Sequence, residues 1–472
     1  MANIIIELSK YIIIILIAVY TFSCFSVFLK ESEEEEKSVI FRQKVLLFAI
    51  QFTAYLVMFL KTGEGKLLLF YLAQVIMLFA LMTLYTLIYP TVSRLIVNNM
   101  CMLICIGWIM ITRLSYTSAV KQFIFVILGS VFSLIVPVII RKVKSLKQWK
   151  WIYGGAGFAA LLFVAVFAVT SGGAKLGFTI AGFGIQPSEF VKILFVFYVA
   201  ASLNESVSFK NIVITTAVAA AHVLILVLST DLGAALIFFV VYLVMLYVAT
   251  RQPLYAVAGL GCGGAAAVLA YNLFSHIKVR VAVWKDPFAS YSEGGYQVAQ
   301  SLFAIGTGSW FGMGLCQGSP ELIPVAESDF IFSAIAEELG LIFALCLILI
   351  CVSCYVMFLN IAMELRNSFY KLVALGLGTC YIFQVFLTIG GVTKFIPSTG
   401  VTLPLVSYGG SSILSTMIMI GIIQGFYIVR EDEEEMIEKK RETAEKNGQK
   451  TKTKKKRKKT GAFEEVPKQR VR

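Results

Sequence analysis

Charge is scarce in this chain. Asp, Glu, Lys and Arg supply 15% of its 472 residues, hydrophobic residues supply 58%, and the mean hydropathy is +0.82. A soluble domain of that length needs far more polar surface, so that class is excluded. The first apolar run has no basic segment before it and no small-residue cleavage site after it. Residues 11–29 are therefore expected to stay as a membrane helix rather than leave as a signal peptide. A second pair of metal-spaced cysteines is also missing. Cys351 and Cys354 have CxxC spacing inside a continuous apolar run, and most of the nine cysteines lie in such runs, which points to packing rather than to a metal or a disulfide. No internal repeat is evident.

Apolar runs of about 20 residues fill most of the chain, each long enough to cross a hydrocarbon core of about 30 Å. They predict roughly 13 spans, at 8–29, 44–61, 67–89, 98–116, 121–140, 151–170, 186–203, 211–228, 231–249, 254–273, 329–359, 370–392 and 402–428. The formal net charge of +13 is concentrated rather than spread. The tail holds Lys450, Lys452, Lys454–Lys456, Arg457, Lys458 and Lys459, and basic residues beside a last membrane helix fit cytoplasmic retention and anionic lipid better than nucleic acid. Arg141, Lys142, Lys144, Lys147 and Lys150 mark a second cytoplasmic loop, and Arg251 a third. Alternation of the spans then puts the N-terminus outside, the C-terminus in the cytoplasm, and both the long segment 274–328 and the turn 394–401 outside. Short helices lying on the outer membrane face are expected in 274–328. The tail, 430–472, opens acidic and turns basic, which predicts a frayed helix followed by disorder.

Ionisable groups inside membrane helices are costly and mark function. Gln186-Pro187-Ser188-Glu189-Phe190-Val191-Lys192 opens a span, with Pro187 suited to a first turn and Glu189 and Lys192 three residues apart on one face. The pair is read as a charged cavity wall, against the plainer reading of a snorkelling interfacial pair. Asp231 precedes Leu232-Gly233, where helix capping is a sufficient explanation. Arg280, Lys285 and Asp286-Pro287-Phe288 lie in the long outer segment. Gly306-Thr307-Gly308, Gly312 and Gly314 follow, and a glycine-rich backbone near cations suits a phosphate. Asp329 leads toward Glu337 and Glu338. On a continuous helix Glu337 falls roughly 80° from Asp329, so it is the better partner for a shared face. Lys394 and the run Ser407, Tyr408, Gly409, Gly410, Ser411, Ser412 interrupt apolar sequence near Pro397 and Pro404, which suggests an anion-binding cavity, with small-residue packing as the plain alternative for the glycines and serines. One cavity, open to the outer leaflet, is expected to gather Glu189, Lys192, Asp329, Glu337, Lys394 and Ser407–Ser412.

QPSEFVK, DLG, the DPF…GYQ…QS…GxG block, SDFIF…EELG and TLPLVSYGGSS stand in the order found in the shape, elongation, division and sporulation (SEDS) family, the FtsW/RodA/SpoVE type, which residues 98–429 resemble. The resemblance implies an all-α polytopic transmembrane bundle, a ten-helix core at 98–429 preceded by about three extra helices in 1–97. It also implies a peptidoglycan glycosyltransferase that polymerises lipid II outside the cytoplasmic membrane beside a class B penicillin-binding protein. A hydroxyl of one sugar would attack the anomeric carbon of another held on undecaprenyl pyrophosphate. A carboxylate base would take the proton, and cations, with a divalent metal ion (Mg or Mn) if one is used, would stabilise the pyrophosphate. Family members commonly carry the key Asp four residues after the DP-motif Asp, and Ser290 stands there. A serine cannot act as base near neutral pH without another base. Asp286 or Glu293 is then the expected replacement, Asp286 being stiffened by Pro287 and kept ionised by Arg280 and Lys285. Val325, Glu327 and Thr388 also depart from the family's usual residues. A non-polymerising alternative, a lipid II-binding or transport protein or a scaffold for the transpeptidase, follows from the same serine.

Overall fold

The computed structural model describes residues 2–30, 32–168, 177–180 and 183–460. Apolar sequence in a bilayer must close its backbone hydrogen bonds within the segment, so helices are the expected solution. Three form the N-terminal part: α1 (Ala2–Ser26), α2 (Glu33–Thr62) and α3 (Gly65–Ile88). Glu33–Glu36 occupy the first turn of α2 and Lys61 its last, each complementing the helix dipole, and Gly63 ends it at φ 71°.

Then come α4 (Arg94–Leu114), α5 (Tyr116–Lys142), α6 (Lys150–Phe167), α7 (Ser188–Glu205), α8 (Phe209–Leu228), α9 (Leu232–Thr250) and α10 (Pro253–Leu273). The segment 274–328 supplies α11 (Ser275–Lys285) and α12 (Gly295–Gly308), and α13 (Ile331–Glu364), α14 (Ser368–Val392) and α15 (Gly410–Thr460) complete the chain. Among the described residues, twelve helices are long and apolar enough to cross a membrane. α7 is the thirteenth by position: it carries Glu189, Lys192 and Glu205 in 18 residues, yet most of it is buried. Each predicted span thus has its helix. Two three-residue strands, Phe178–Ile180 and Phe183–Ile185, pair antiparallel before α7, a feature the apolar pattern does not announce.

α4 is the axis. Every residue of its most apolar stretch is buried, because α1–α3 pack over the face that α5 and α13 leave open. Polar side chains key this packing. Asn98 Nδ2 donates to Ile40 O and Gln43 Oε1 at 3.1 and 3.0 Å, and Tyr20 donates to Asn99 Oδ1 at 3.0 Å. Asn99 Nδ2 reaches Ser353 on α13.

Three boundaries differ from expectation. The last span starts at Gly410 rather than 402, because Pro404 and the turn at 404–408 keep 402–409 out of helix. That helix runs on to Thr460, where a frayed helix followed by disorder was expected. α13 starts at Ile331, after Asp329, and is broken at Gly340 (φ 86°, ψ 166°). The segment 309–314 heals the break: Met313 N and Gly314 N donate to Glu337 O and Glu338 O, and Leu341 N and Ile342 N donate to Ser309 O and Trp310 O. Non-helical backbone inside a membrane fold survives where protein satisfies it in this way.

Candidate active site

The glycines of the outer block serve this splice. A Cβ on Gly308 would lie 1.9 Å from Ala336 O, and one on Gly312 (φ 74°) would lie 2.3 Å from Glu338 O. They permit backbone contact rather than forming a phosphate cradle. α12 likewise packs into the bundle, burying Val298, Ser301 and Ala304, instead of resting on its surface.

The glutamates of α13 belong to the same splice. Glu337 Oε1 accepts from Ser319 N at 2.8 Å. Glu338, fully buried, pairs with Arg113 Nε at 3.1 Å and accepts from Cys316 N. The late start of α13, at Ile331, leaves Asp329 outside the helix on whose face it and Glu337 were expected to meet. Lys394 lies half-buried in the turn after α14. It is held at φ 59°, and its carbonyl accepts from Trp284 Nε1 of α11 at 3.2 Å.

The remaining groups do converge. Pro187 starts α7 and turns Glu189 and Lys192 inward, where they pair at 2.5 Å and are 13% and 3% exposed. At that depth Lys192 is no snorkelling residue. Its Nζ also donates to Gln384 Oε1 of α14 at 2.8 Å, and Ser415 of α15 donates to Glu189 Oε2 at 3.0 Å. Beside the pair lies a cavity of about 30 Å³, lined by Gln186, Ser188, Glu189, Lys192, Asp231, Gly400 and Thr402 among others. A water needs about 10–15 Å³ by this kind of measure, so the space suits one or two waters and not a sugar without opening. Asp231 caps α9 through Ala234 N and also accepts from Ser188 Oγ and Gln186 Nε2 at 3.0 and 3.2 Å.

Arg280 extends this site outward. Its Nη1 donates to Ser398 O at 3.0 Å, which holds α11 against the turn 394–400. Burial draws its basicity down, and the charges of Asp231 and Asp329 oppose that. Asp329 is half-buried, and its carboxyl is raised by burial against the effects of Ser328 and Arg280. A Cβ built on Gly400 would lie 3.6 Å from Asp329 Oδ2.

The serine-glycine run does not line the cavity, but Ser411 and Ser412 hold two residues that do, Gln186 and Thr402. Ser407 Oγ donates to Ser328 O at 2.5 Å and accepts from Leu403 N. Gly409 N donates to Gln122 Oε1, and Gly410 lies against Phe125. Ser411 accepts from Gln186 N at 2.9 Å, and Ser412 accepts from Thr402 Oγ1 at 2.8 Å. These contacts assign the run to holding the broken entry of α15 against α5 and α7.

Asp286 is exposed, and its Oδ1 accepts from Phe288 N and Ala289 N at 3.0 Å each, an Asx-type turn. Among the described residues it makes no ion pair with Arg280 or Lys285. The side chain of Glu293 lies outside the described residues. Gln384, Gln122 and Ser415 were missed in the sequence. A lone polar side chain in an apolar helix was their only signal.

The family described as cell cycle protein (FtsW/RodA/SpoVE) matches residues 93–431. Peptidoglycan glycosyltransferase RodA of Mycobacterium leprae is 35% identical over 362 residues, 71% of this chain and 77% of that protein. Probable peptidoglycan glycosyltransferase FtsW of Geobacter sulfurreducens is 31% identical over 276 residues, 56% of this chain and 72% of that protein. A solved chain from a peptidoglycan synthase complex, described as coordinating polymerization and crosslinking, superposes with TM-score 0.62 at 21% identity, covering 72% of this chain and 98% of its own. The rod shape determining protein RodA of Thermus thermophilus gives TM-score 0.54 at 21% identity, with 72% and 97% covered. At that identity the superpositions establish the fold.

Proposed function

Because this chain belongs to the FtsW/RodA/SpoVE family of cell cycle proteins, a family of multi-pass membrane proteins, we propose that it is a peptidoglycan glycosyltransferase that polymerises lipid II on the outer face of the bacterial cytoplasmic membrane. The observation that carries the reading is the buried Lys192–Glu189 pair beside a cavity lined in part by Asp231, whose charge, like that of Asp329, acts on Arg280. A buried ion pair costs desolvation energy, and hydrophobic residues would fill the same space with equal or better stability. Its presence inside a membrane bundle is explained by a polar substrate group.

In this reading the sugar pyrophosphate lies at the mouth of the cavity and the undecaprenyl chain lies in lipid. Arg280, anchored by Ser398 O, faces the pyrophosphate and stabilises the charge that grows as the glycosidic oxygen departs. Lys192 supplies positive potential from below, with Glu189 and Gln384 fixing its ammonium. Among the described residues no group of three His, Cys, Asp or Glu could hold a metal ion, and no step is routed through one.

The partner in this reading is a class B penicillin-binding protein, supported by the synthase complex to which the fold is similar. The N-terminus is assigned to the outside and the C-terminus to the cytoplasm, supported by the basic loop 141–150 and the basic tail. Ser290, where an acidic residue is expected, favours one alternative, a lipid II-binding or transport protein or a scaffold for the transpeptidase. Purified chain, with and without a co-expressed class B partner, is incubated with lipid II, and glycan chains are resolved by gel. Polymer in the complex supports the transferase. Lipid II binding without polymer under both conditions supports the alternative.

A further inference from the structure

A transferase with Ser290 in the outer loop needs its proton acceptor elsewhere, and the described carboxylates of this region differ in what already engages them. Asp286 holds two amides of its own turn and stands exposed. Glu189 is engaged by Lys192 and Ser415. Asp231 receives Ala234 N on one oxygen and Ser188 and Gln186 on the other. Glu337 and Glu338 receive the amides of Ser319 and Cys316, and Glu338 also pairs with Arg113. Asp329 has its neighbour Ser328 as hydrogen-bonding group and Arg280 as the facing cation. Its Oδ2 points toward Gly400, which also lines the cavity and carries no side chain to block the approach.

We propose that Asp329 is the proton acceptor for the attacking sugar hydroxyl, placed beside an Arg280 that engages the leaving pyrophosphate. The proposal rests on the transferase reading above. The hydroxyl oxygen forms a bond to the donor's anomeric carbon as the bond from that carbon to the pyrophosphate oxygen breaks. The pyrophosphate leaves with the electron pair, and the hydroxyl proton passes to the Asp329 carboxylate. Burial raises that carboxyl, which brings its basicity closer to neutral pH, while Ser328 and Arg280 limit the rise. Asp231 beyond Arg280, His276 on the helix of Arg280, and Glu327 on the loop of Asp329 are further titratable groups of the neighbourhood.

The test uses the full chain with its class B partner, lipid II as substrate, and a parallel lipid II binding assay. Asp329→Asn is expected to lower kcat by roughly 100-fold or more, the usual yield of general base catalysis, with lipid II affinity unchanged. Asp286→Asn is expected to stay within about threefold of wild type, as fits a turn brace outside the chemistry. The acidic limb of the kcat profile, where Asp329 takes up a proton, should shift in Asp329→Glu. Near-wild-type kcat in Asp329→Asn, or weakened lipid II binding with kcat kept, overturns the proposal. Should Asp329→Asn fail to fold, an acidic limb in Asp329→Glu identical to wild type overturns it. Wild type that binds lipid II yet makes no polymer overturns the transferase reading, and the proposal with it. Active wild type with an active Asp329→Asn overturns the proposal alone.

Discussion

Lys192→Met removes one partner of a buried ion pair while nearly preserving volume. Lys192 is 3% exposed and serves two acceptors, Glu189 at 2.5 Å and Gln384 at 2.8 Å. Without the ammonium, Glu189 keeps Ser415 as its donor and an uncompensated charge inside the bundle. Breaking a buried pair in this way costs about 3–5 kcal/mol, and a stranded Gln384 carbonyl belongs to the same loss. Lys192→Met with Glu189→Gln abolishes both charges, so most of the loss should return, with a coupling energy of about 2–3 kcal/mol in the double-mutant cycle. Unfolding in detergent can be followed with a thiol-reactive fluorogenic dye, because Cys24, Cys101, Cys105, Cys346, Cys351, Cys354 and Cys380 are buried. A single variant as stable as wild type, or a double variant that simply sums the two single losses, would refute the reasoning. The first outcome would mean the pair is open to water. The second would mean the two charges do not feel each other.

Three further outcomes are expected. Gly308→Ala should destabilise the protein by about 1–3 kcal/mol, read in the same dye assay, because its methyl would meet Ala336 O at 1.9 Å and the α12–α13 backbones must separate. Removing residues 440–472 should leave folding and any polymerisation unchanged while weakening flotation with anionic vesicles, since that segment is basic and poor in apolar residues. A cysteine placed in the first residues should react with an impermeant maleimide on intact spheroplasts, and purely cytoplasmic labelling would set the helix count off by an odd number.

The spans were legible because hydrophobic length is a coarse signal that a single residue seldom upsets. So was the Glu189–Lys192 pair, whose spacing of three fixes a shared helix face. The splice at Gly340 was not. A glycine in an apolar run is tolerated in a helix, and only the distant segment 309–314 makes the break favourable. The reading of Glu337 failed at the other end of α13: its angular relation to Asp329 assumed one helix, and the helix starts at Ile331, after Asp329. Asp286 illustrates a second limit. Charge and a following proline suggest a fixed base, and the same features equally make an Asx turn, which is what its two amide contacts are.

The enclosure of α4 has a temporal side. A helix with adjacent asparagines enters lipid at a cost unless partners are waiting for its amides. Here Tyr20, Ile40 and Gln43 lie on helices made before Asn98 and Asn99, while Ser353, the acceptor for the Asn99 amide, is made later. Synthesis order therefore prepares a berth for α4 before it arrives.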